Sequence, residues 1–219
     1  MAGDWRQIPG NHVFDHLHQQ VTAVARSEGN LDLFVIGNDK HIYTQAWPDP
    51  NRPGQWQWLP EWGAIPGNHV FDHLHQRIAA VSRGAGNLNL FVIGYDDRIY
   101  TQSWPDPNRP GQWQWLPEWG AIPGNHVFDH LHQQVTAVSR CQRSLDLFVI
   151  GHPDHRVYEQ GPGSGGWGWR PDWQPIVGLP FFDHRYQQVA AVARCPDYYV
   201  NGTVDLFAIA DDDRVYTAP

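Results

Sequence analysis

The sequence contains little charge, few cysteines and no long apolar run. Only 17% of its 219 residues are charged, and a net charge of −8 offers no basic surface to a phosphate backbone, so no nucleic-acid partner is expected. Cys141 and Cys195 are too few for a disulfide framework, and we expect two free thiols. Because no stretch approaches the roughly 20 apolar residues of a membrane span, no membrane insertion is expected.

The first ten residues also do not have the pattern of a secretory signal peptide. They contain no basic region followed by an apolar run. We therefore expect a protein that is cytoplasmic or is released by a route that needs no signal peptide.

Tryptophan, glycine and proline are abundant, with 12, 21 and 18 residues, which is typical of short strands joined by turns. The sequence also repeats itself. A segment beginning Ile-Pro-Gly-Asn-His-Val-Phe-Asp-His starts at Ile8, Ile65 and Ile122, so the copies are 57 residues apart, and a diverged copy starts at Ile176. The first two copies are identical at 46 of 57 positions. Such copies must share one structure.

Each copy predicts three or four short strands and no helix. Periods of about 40 to 50 residues with four strands per repeat are typical of β-propeller blades. We predict an all-β protein, a four-bladed β-propeller with about four antiparallel strands per blade. The single domain covers 1–219, and its blades are the repeats 8–64, 65–121, 122–175 and 176–219, the last completed by 1–7.

The N-terminal strand is predicted to close this ring. The last repeat stops after 214–217 and lacks its fourth strand, whereas residues 4–10 align with 61–67 and supply one. Pairing of the two ends would leave no open sheet edge. The alternative is a larger ring made by two chains, which we rank second because closure within one chain costs less loop entropy.

Several segments resemble the repeats of propeller lectins. They are Ala-Val-Ser-Arg at 80–83 and 137–140, Leu-Asp-Leu-Phe-Val-Ile-Gly at 31–37 and 145–151, Arg-Val-Tyr, and a spaced tryptophan pair before Ile-x-Gly. The resemblance is to the seven-bladed bacterial fucose-binding lectins and, more distantly, to the six-bladed fungal ones. It implies a multivalent carbohydrate-binding lectin for fucosylated or related neutral glycans. Its partners would be glycans or glycoconjugates, and the protein would be a monomer or a small homo-oligomer.

Two groups of residues are candidates for the sugar site. The first lies in the Pro-Asp-Pro-Asn-Arg loops, where an indole could stack on a sugar ring and an arginine could donate two hydrogen bonds to hydroxyls. It comprises Trp47, Arg52, Glu61, Trp104, Arg109 and Glu118. The second group is the start of each repeat, with Asn11, His12, Asp15, Asn68, His69, Asp72, Asn125, His126 and Asp129. Packing and turn formation are the alternative roles for both groups.

Histidine is the other abundant residue type, with 13 in the chain. If the Asp-His-Leu-His segment is an extended strand, the two histidines of each copy face one side and could share a metal ion. The candidate ligands are His16, His18, His73, His75, His130, His132 and His184. Structural hydrogen bonding is the alternative. No cofactor is expected, a divalent metal remains open, and an enzyme that uses these residues is ranked below the lectin because a catalytic site is rarely repeated.

Overall fold

The computed structural model describes residues 4–49, 54–84, 86–109, 112–140, 144–163, 168–178, 181–183, 185, 187–194 and 202–218. Over these residues the protein consists of fifteen strands without a helix, in four antiparallel sheets. The prediction of an all-β protein is confirmed. No helix long and apolar enough to cross a membrane occurs in the described ranges. Cys141 and Cys195 lie outside them.

Sheets 1 and 2 have the same four-stranded order. The strands of sheet 1 are β1 (Thr22–Ser27), β2 (Asn30–Ile36), β3 (Ile42–Trp47) and β4 (Gly63–Ala64). Those of sheet 2 are β5 (Ala79–Ser82), β6 (Leu88–Ile93), β7 (Ile99–Trp104) and β8 (Gly120–Ala121). Each sheet therefore follows the repeat, with the order of its strands in space equal to their order in the sequence.

Sheets 3 and 4 differ at their outer edge. Sheet 3 contains β9 (Thr136–Arg140), β10 (Ser144–Ile150), β11 (Val157–Gln160) and β12 (Gln174–Pro175). Sheet 4 contains only β13 (Ala190–Arg194), β14 (Thr203–Ile209) and β15 (Val215–Ala218). The fourth strand of sheet 4, predicted from residues 4–10, is not observed.

The N-terminal segment packs on sheet 1 rather than on sheet 4. Residues 4–10 form no strand, and Gln45 Nε2 donates to the carbonyl of Pro9 at 3.3 Å. Gly10 has a φ of 120°, and a Cβ there would lie 2.7 Å from Trp62, so this close approach requires glycine. Trp5 is fully exposed. The predicted closure is not confirmed, because this segment is held by its own repeat.

Three apolar clusters join neighbouring sheets. The one between sheets 1 and 2 contains Phe34, Ile36 and Ile42 from the first and Leu88 and Leu90 from the second. Equivalent clusters join sheets 2 and 3 and sheets 3 and 4. The strands β2, β6 and β10 are covered on both faces, and each ends in a run of four apolar residues that follows one polar residue, which is Asp32, Asn89 or Asp146. The core is therefore distributed over the junctions between sheets.

Candidate functional site

A cleft of about 160 Å³ opens between sheets 2 and 3. It is lined by Arg83, Asn89, Thr101, Ser103, Leu145, Pro162, Gly168 and Trp169. Four of these are polar side chains from sheet 2, and the indole comes from sheet 3. The lining therefore combines one flat aromatic surface with several hydrogen-bonding groups, as small-ligand sites do.

Arg83 is the cation of this cleft. It directly follows β5, and its Nε is buried without a hydrogen-bond partner among the residues that the structure describes. Burial lowers the pKa of the guanidinium, but arginine remains charged at neutral pH. The cleft thus contains a partly desolvated positive charge with donors available.

In the other three sheets the equivalent arginine has a carboxylate partner. Arg26 Nε lies 3.2 Å from Asp32 Oδ2, with both side chains less than a tenth exposed. Arg140 pairs with Asp146, and Arg194 pairs with Asp205. In sheet 2 the corresponding position is Asn89, which carries no charge. Without this carboxylate, Arg83 has no acidic partner in the part of the chain that the structure describes.

The remaining polar atoms are also available to a ligand. Asn89 Nδ2 donates to Ser103 Oγ at 2.6 Å, while Asn89 Oδ1 and Thr101 Oγ1 are buried and have no partner within the described part of the chain. Unsatisfied buried polar atoms are costly unless a ligand or water pairs with them. The cleft consequently offers charged donors, an amide acceptor and a hydroxyl within one small volume.

Trp169 forms the aromatic wall because the neighbouring position is small. It is bridged to Pro162 and packs edge-on against Phe91, with ring centroids 5.7 Å apart. At the junction of sheets 1 and 2 the place of Pro162 is taken by Trp104, and the guanidinium of Arg26 lies 4.5 Å from its ring centroid. That junction is therefore filled, whereas the next one is open.

The loop residues predicted as a sugar site are mostly occupied by internal contacts. Trp104 is packed between Arg26 and Trp113, with indole centroids 5.4 Å apart. Arg109 lies 3.6 Å from the buried carboxylate of Asp106. Arg52 lies outside the described residues. Trp47 packs against Trp56 in the same way, and both indoles line an open cleft of about 550 Å³ at the edge of sheet 1.

Glu61 and Glu118 hold the start of their own repeats. The N–H of Asn11 donates to Glu61 Oε2 at 2.8 Å, and the N–H of Asn68 donates to Glu118 Oε2 at 3.1 Å. In sheet 3 the N–H of Asn125 donates to an aspartate instead. The structure thus brings residues of the two predicted sugar-site groups together. Their hydrogen bonds join the two ends of one repeat.

Three histidines that were predicted as sugar-site residues stack on tyrosines of their own sheet. The ring centroids of His12 and Tyr43 are 3.8 Å apart, and His69 and His126 make the same contact with their tyrosines. Burial lowers the pKa of His69 and His126. These stacked imidazoles fill space beside the strand turn.

The Asp-His-Leu-His segments of the first three repeats are turns and not extended strands, so the condition under which the two histidines of a copy would face one side is not met. Asp15 accepts a hydrogen bond from the N–H of Leu17 at 2.9 Å, and His18 Nδ1 lies 2.6 Å from its carboxylate. The hydrogen bond from His18 lowers the pKa of Asp15. Asp72 with His75 and Asp129 with His132 repeat the pair. Aspartate competes for local backbone groups, and this favours the turn.

Two aspartates and one histidine do lie close enough together to bind one metal ion. Asp97, Asp129 and His130 place ligand atoms within 4.8 Å of one another, and no other group of three meets this criterion in the described ranges. His130 Nδ1 lies 2.7 Å from Asp97 Oδ1. Of the seven histidines proposed as metal ligands, this group contains only His130, and His184 lies outside the described residues.

The cleft was missed because sequence reasoning gave weight to what the copies share. Asp32 and Asn89 are one of only eleven differences between the first two repeats, and Ala46 and Ser103 are another. Both changes lie in the cleft of sheet 2. A search for departures between copies, rather than for identities, would have found them.

The arrangement of sheets is that of a β-propeller. Among solved structures, an arginine-to-alanine triple mutant of AofleA from Arthrobotrys oligospora matches with a TM-score of 0.58 and 11% identity, over 97% of this chain and 64% of that one. A mutant Aleuria aurantia lectin in complex with α-methyl-L-fucoside matches with a TM-score of 0.52 and 13% identity, over 97% and 58%. The fungal Aleuria aurantia lectin is described as a six-bladed β-propeller with a fucose recognition mode.

The chain spans about three-fifths of the length of these lectin structures. At this identity the likeness shows the β-propeller fold alone, and the predicted resemblance to propeller lectins is confirmed at the level of the fold. No family model matches the sequence, and no curated protein matches it.

Proposed function

We propose that the protein is a carbohydrate-binding lectin and that the cleft between sheets 2 and 3 is its sugar site. The observation that carries this proposal is that Arg83, whose buried Nε has no partner among the described residues, lines the same cleft as the indole of Trp169. A sugar ring would place its C–H face on the indole and its hydroxyls towards the arginine fork. Asn89 and Thr101 would pair with further hydroxyls through atoms that otherwise have no partner.

The size of the cleft favours a single terminal sugar. Its volume of about 160 Å³ corresponds to about five waters of the liquid, well below the range of about 300 to 1,000 Å³ for drug-sized ligands. A terminal fucose or a related neutral sugar is our first candidate, because a lectin of the same fold was solved in complex with α-methyl-L-fucoside and is described with a fucose recognition mode. The uncompensated charge of Arg83 also favours sugars that bear a carboxylate, and the two classes can be separated experimentally.

The number of sugar sites per chain follows from which junctions between neighbouring sheets are filled and which are open. The junction of sheets 1 and 2 is filled by Arg26, Asp32 and Trp104. In the part of the chain that the structure describes, the open cleft with an unpaired arginine occurs once. We therefore infer one such site per chain, so that multivalent binding would require more than one copy of the chain.

A glycan array with fucosylated, other neutral, sialylated and uronic-acid glycans would test the proposal. Arg83→Ala and Trp169→Ala should each abolish binding to the best glycan, and free monosaccharide should compete with the parent protein. Arg109→Ala is the matched control, because that arginine is half exposed and lies in the loop. Binding that survives Arg83→Ala but is lost in Arg109→Ala would move the site to the loop.

A divalent metal site at Asp97, Asp129 and His130 is the second candidate function. These side chains supply two carboxylates and one imidazole, a donor set that suits a first-row transition metal. Metal analysis of the purified protein, with Asp97→Asn as the comparison, would test it. Stoichiometric metal that is lost in the variant would support this function, and equal metal content would argue against it.

A further inference from the structure

The last sheet presents an apolar face that the other sheets bury. Phe207, Ile209 and Val215 are 40%, 52% and 70% exposed, and Val192 is also exposed. We call these four residues the leading face. The counterparts of Phe207, Ile209 and Val215 in sheets 1 to 3, from Phe34 to Val157, are all at most 3% exposed, and those of Val192 are partly buried. A face that three sheets bury is thus uncovered in the fourth.

In each of sheets 1 to 3, the face that corresponds to the leading face is buried, because the start of the following repeat covers it. Phe34 and Ile36 of sheet 1 pack with Ile65, Phe71 and Ile78 in one cluster. Apolar residues at the same positions of the third and fourth repeats cover the corresponding faces of sheets 2 and 3. The structure therefore shows three times what kind of surface fits this face.

The first repeat carries a second, uncovered copy of that surface. Val21 is 61% exposed, whereas its counterparts Ile78, Val135 and Val189 are at most 6% exposed. Phe14 is partly exposed, while the phenylalanines at its position in later repeats are fully buried. We call Phe14, Val21 and Trp58 the trailing face.

Trp58 belongs to the trailing face by the same comparison. Its counterparts Trp115 and Trp169 stand edge-on to Phe34 and Phe91 of the preceding sheet, at 5.9 and 5.7 Å. Trp58 has no such ring contact among the described residues and lines the open cleft at the edge of sheet 1. A preceding sheet would place its phenylalanine against this indole.

The two faces do not cover each other within one chain. Contacts between innermost strands join β1 to β5, β5 to β9 and β9 to β13. No comparable contact joins β13 to β1 over the described residues. The four sheets consequently form an open arc with a leading face at one end and a trailing face at the other.

We propose that a second copy of this chain docks head-to-tail, with its trailing face on the leading face. Phe207 of one copy would meet Trp58 of the other, as Phe34 meets Trp115. The guanidinium of Arg194, which pairs with Asp205, would lie over Trp47 as Arg26 lies over Trp104. Each partner surface is thus identified from a contact that the chain already makes.

Two copies joined at both ends form a ring of eight sheets. Propellers with about four to eight blades are common, so a ring of this size is within the known range. The contact between the leading face of one copy and the trailing face of the other would occur twice, related by a two-fold axis. The two contacts close the ring and leave neither apolar face exposed. This inference is independent of sugar binding.

Sedimentation equilibrium and light scattering of the 219-residue chain would test the proposal. We expect the mass of two chains at high protein concentration, with dissociation on dilution. Val21→Glu and Ile209→Glu should each shift the equilibrium towards the single chain. The first substitution places a carboxylate in the trailing face, and the second places one in the leading face. Both positions are more than half exposed in the single chain, so both variants should fold. Leu74→Glu is the matched control, because Leu74 is an exposed apolar residue away from both faces and should leave the mass unchanged.

Mixing distinguishes head-to-tail docking from other pairings. Val21→Glu retains an intact leading face, and Ile209→Glu retains an intact trailing face, so the mixture should regain the two-chain mass through one intact junction. A mass that stays at one chain at every concentration would overturn the proposal. So would a dimer that only one of the two variants disrupts, or a mixture that does not reassociate.

Discussion

The Asp32 carboxyl should make the protein less stable as the pH rises, and Asp32→Asn should remove that effect. Asp32 is 4% exposed and lies beside Arg26. Burial raises its pKa from 3.8 to about 6, and the charge of Arg26 offsets this only in part. Because the folded state holds this proton more tightly than the unfolded state, the contribution to stability is complete below the unfolded pKa. It is lost as the pH rises through the folded pKa.

The expected magnitude is large for one side chain. A rise in pKa from 3.8 to about 6 corresponds to about 3 kcal/mol of unfolding free energy. Urea denaturation of the parent and of Asp32→Asn, from about pH 4 to pH 7.5, would measure it. The variant should gain stability relative to the parent by about 2 to 3 kcal/mol over this range. Carboxyls with a lowered pKa, such as Asp15, act in the opposite direction in both proteins and cancel in the difference.

Asn89→Asp is the converse experiment. It places a carboxyl beside Arg83 in the second repeat, where the surrounding strands are the same as around Asp32. This variant should lose stability relative to the parent as the pH rises. A difference between Asp32→Asn and the parent that stays constant with pH would refute the reasoning, because it would mean that Arg26 keeps Asp32 ionised at the ordinary pKa.

Four other substitutions separate binding from stability. Asn89→Asp should weaken glycan binding at least about tenfold in calorimetry, because its carboxylate would pair with Arg83; unchanged affinity would contradict this. Arg83→Met should abolish binding yet raise the unfolding free energy by about 1 kcal/mol, since an unpaired buried charge is removed; a destabilised variant would show that Arg83 is structural. Trp104→Ala should cost about 3 kcal/mol in urea denaturation without changing glycan affinity. Asp72→Ala should cost about 1 kcal/mol through loss of its turn hydrogen bonds, and an unchanged melting temperature would argue against that role.

The strands could be predicted because their sequences satisfy a local rule. The run Leu31 to Ile36 alternates and then becomes fully apolar, and it forms β2 with its copies β6 and β10. Turn residues on either side fixed the hairpins, as in the Asp39 and Lys40 turn, where Lys40 has a φ of 69°. Local pattern and tertiary packing agree at these positions, so the sequence alone was sufficient.

Closure could not be predicted because it depends on an angle that no single repeat encodes. Residues 4–10 have the same pattern as 61–67, yet 63–64 forms a strand only because sheet 1 lies beside it. The rotation between neighbouring sheets decides whether the fourth sheet returns to the first. That rotation results from many small packing contacts at each junction, such as those around Phe34 and Leu88.

The candidate site was hidden for a different reason, which concerns what repetition reveals. Residues that recur between copies, such as Asp15 in all four repeats and the stacked His12 in the first three, make their contacts within the chain. A ligand site needs unsatisfied groups, and a repeat protein obtains them by departing from its own pattern. Replacement of one aspartate by Asn89 leaves Arg83 without a carboxylate partner among the described residues. In a chain of near-identical repeats, function should therefore be sought first where one copy has lost a structural partner.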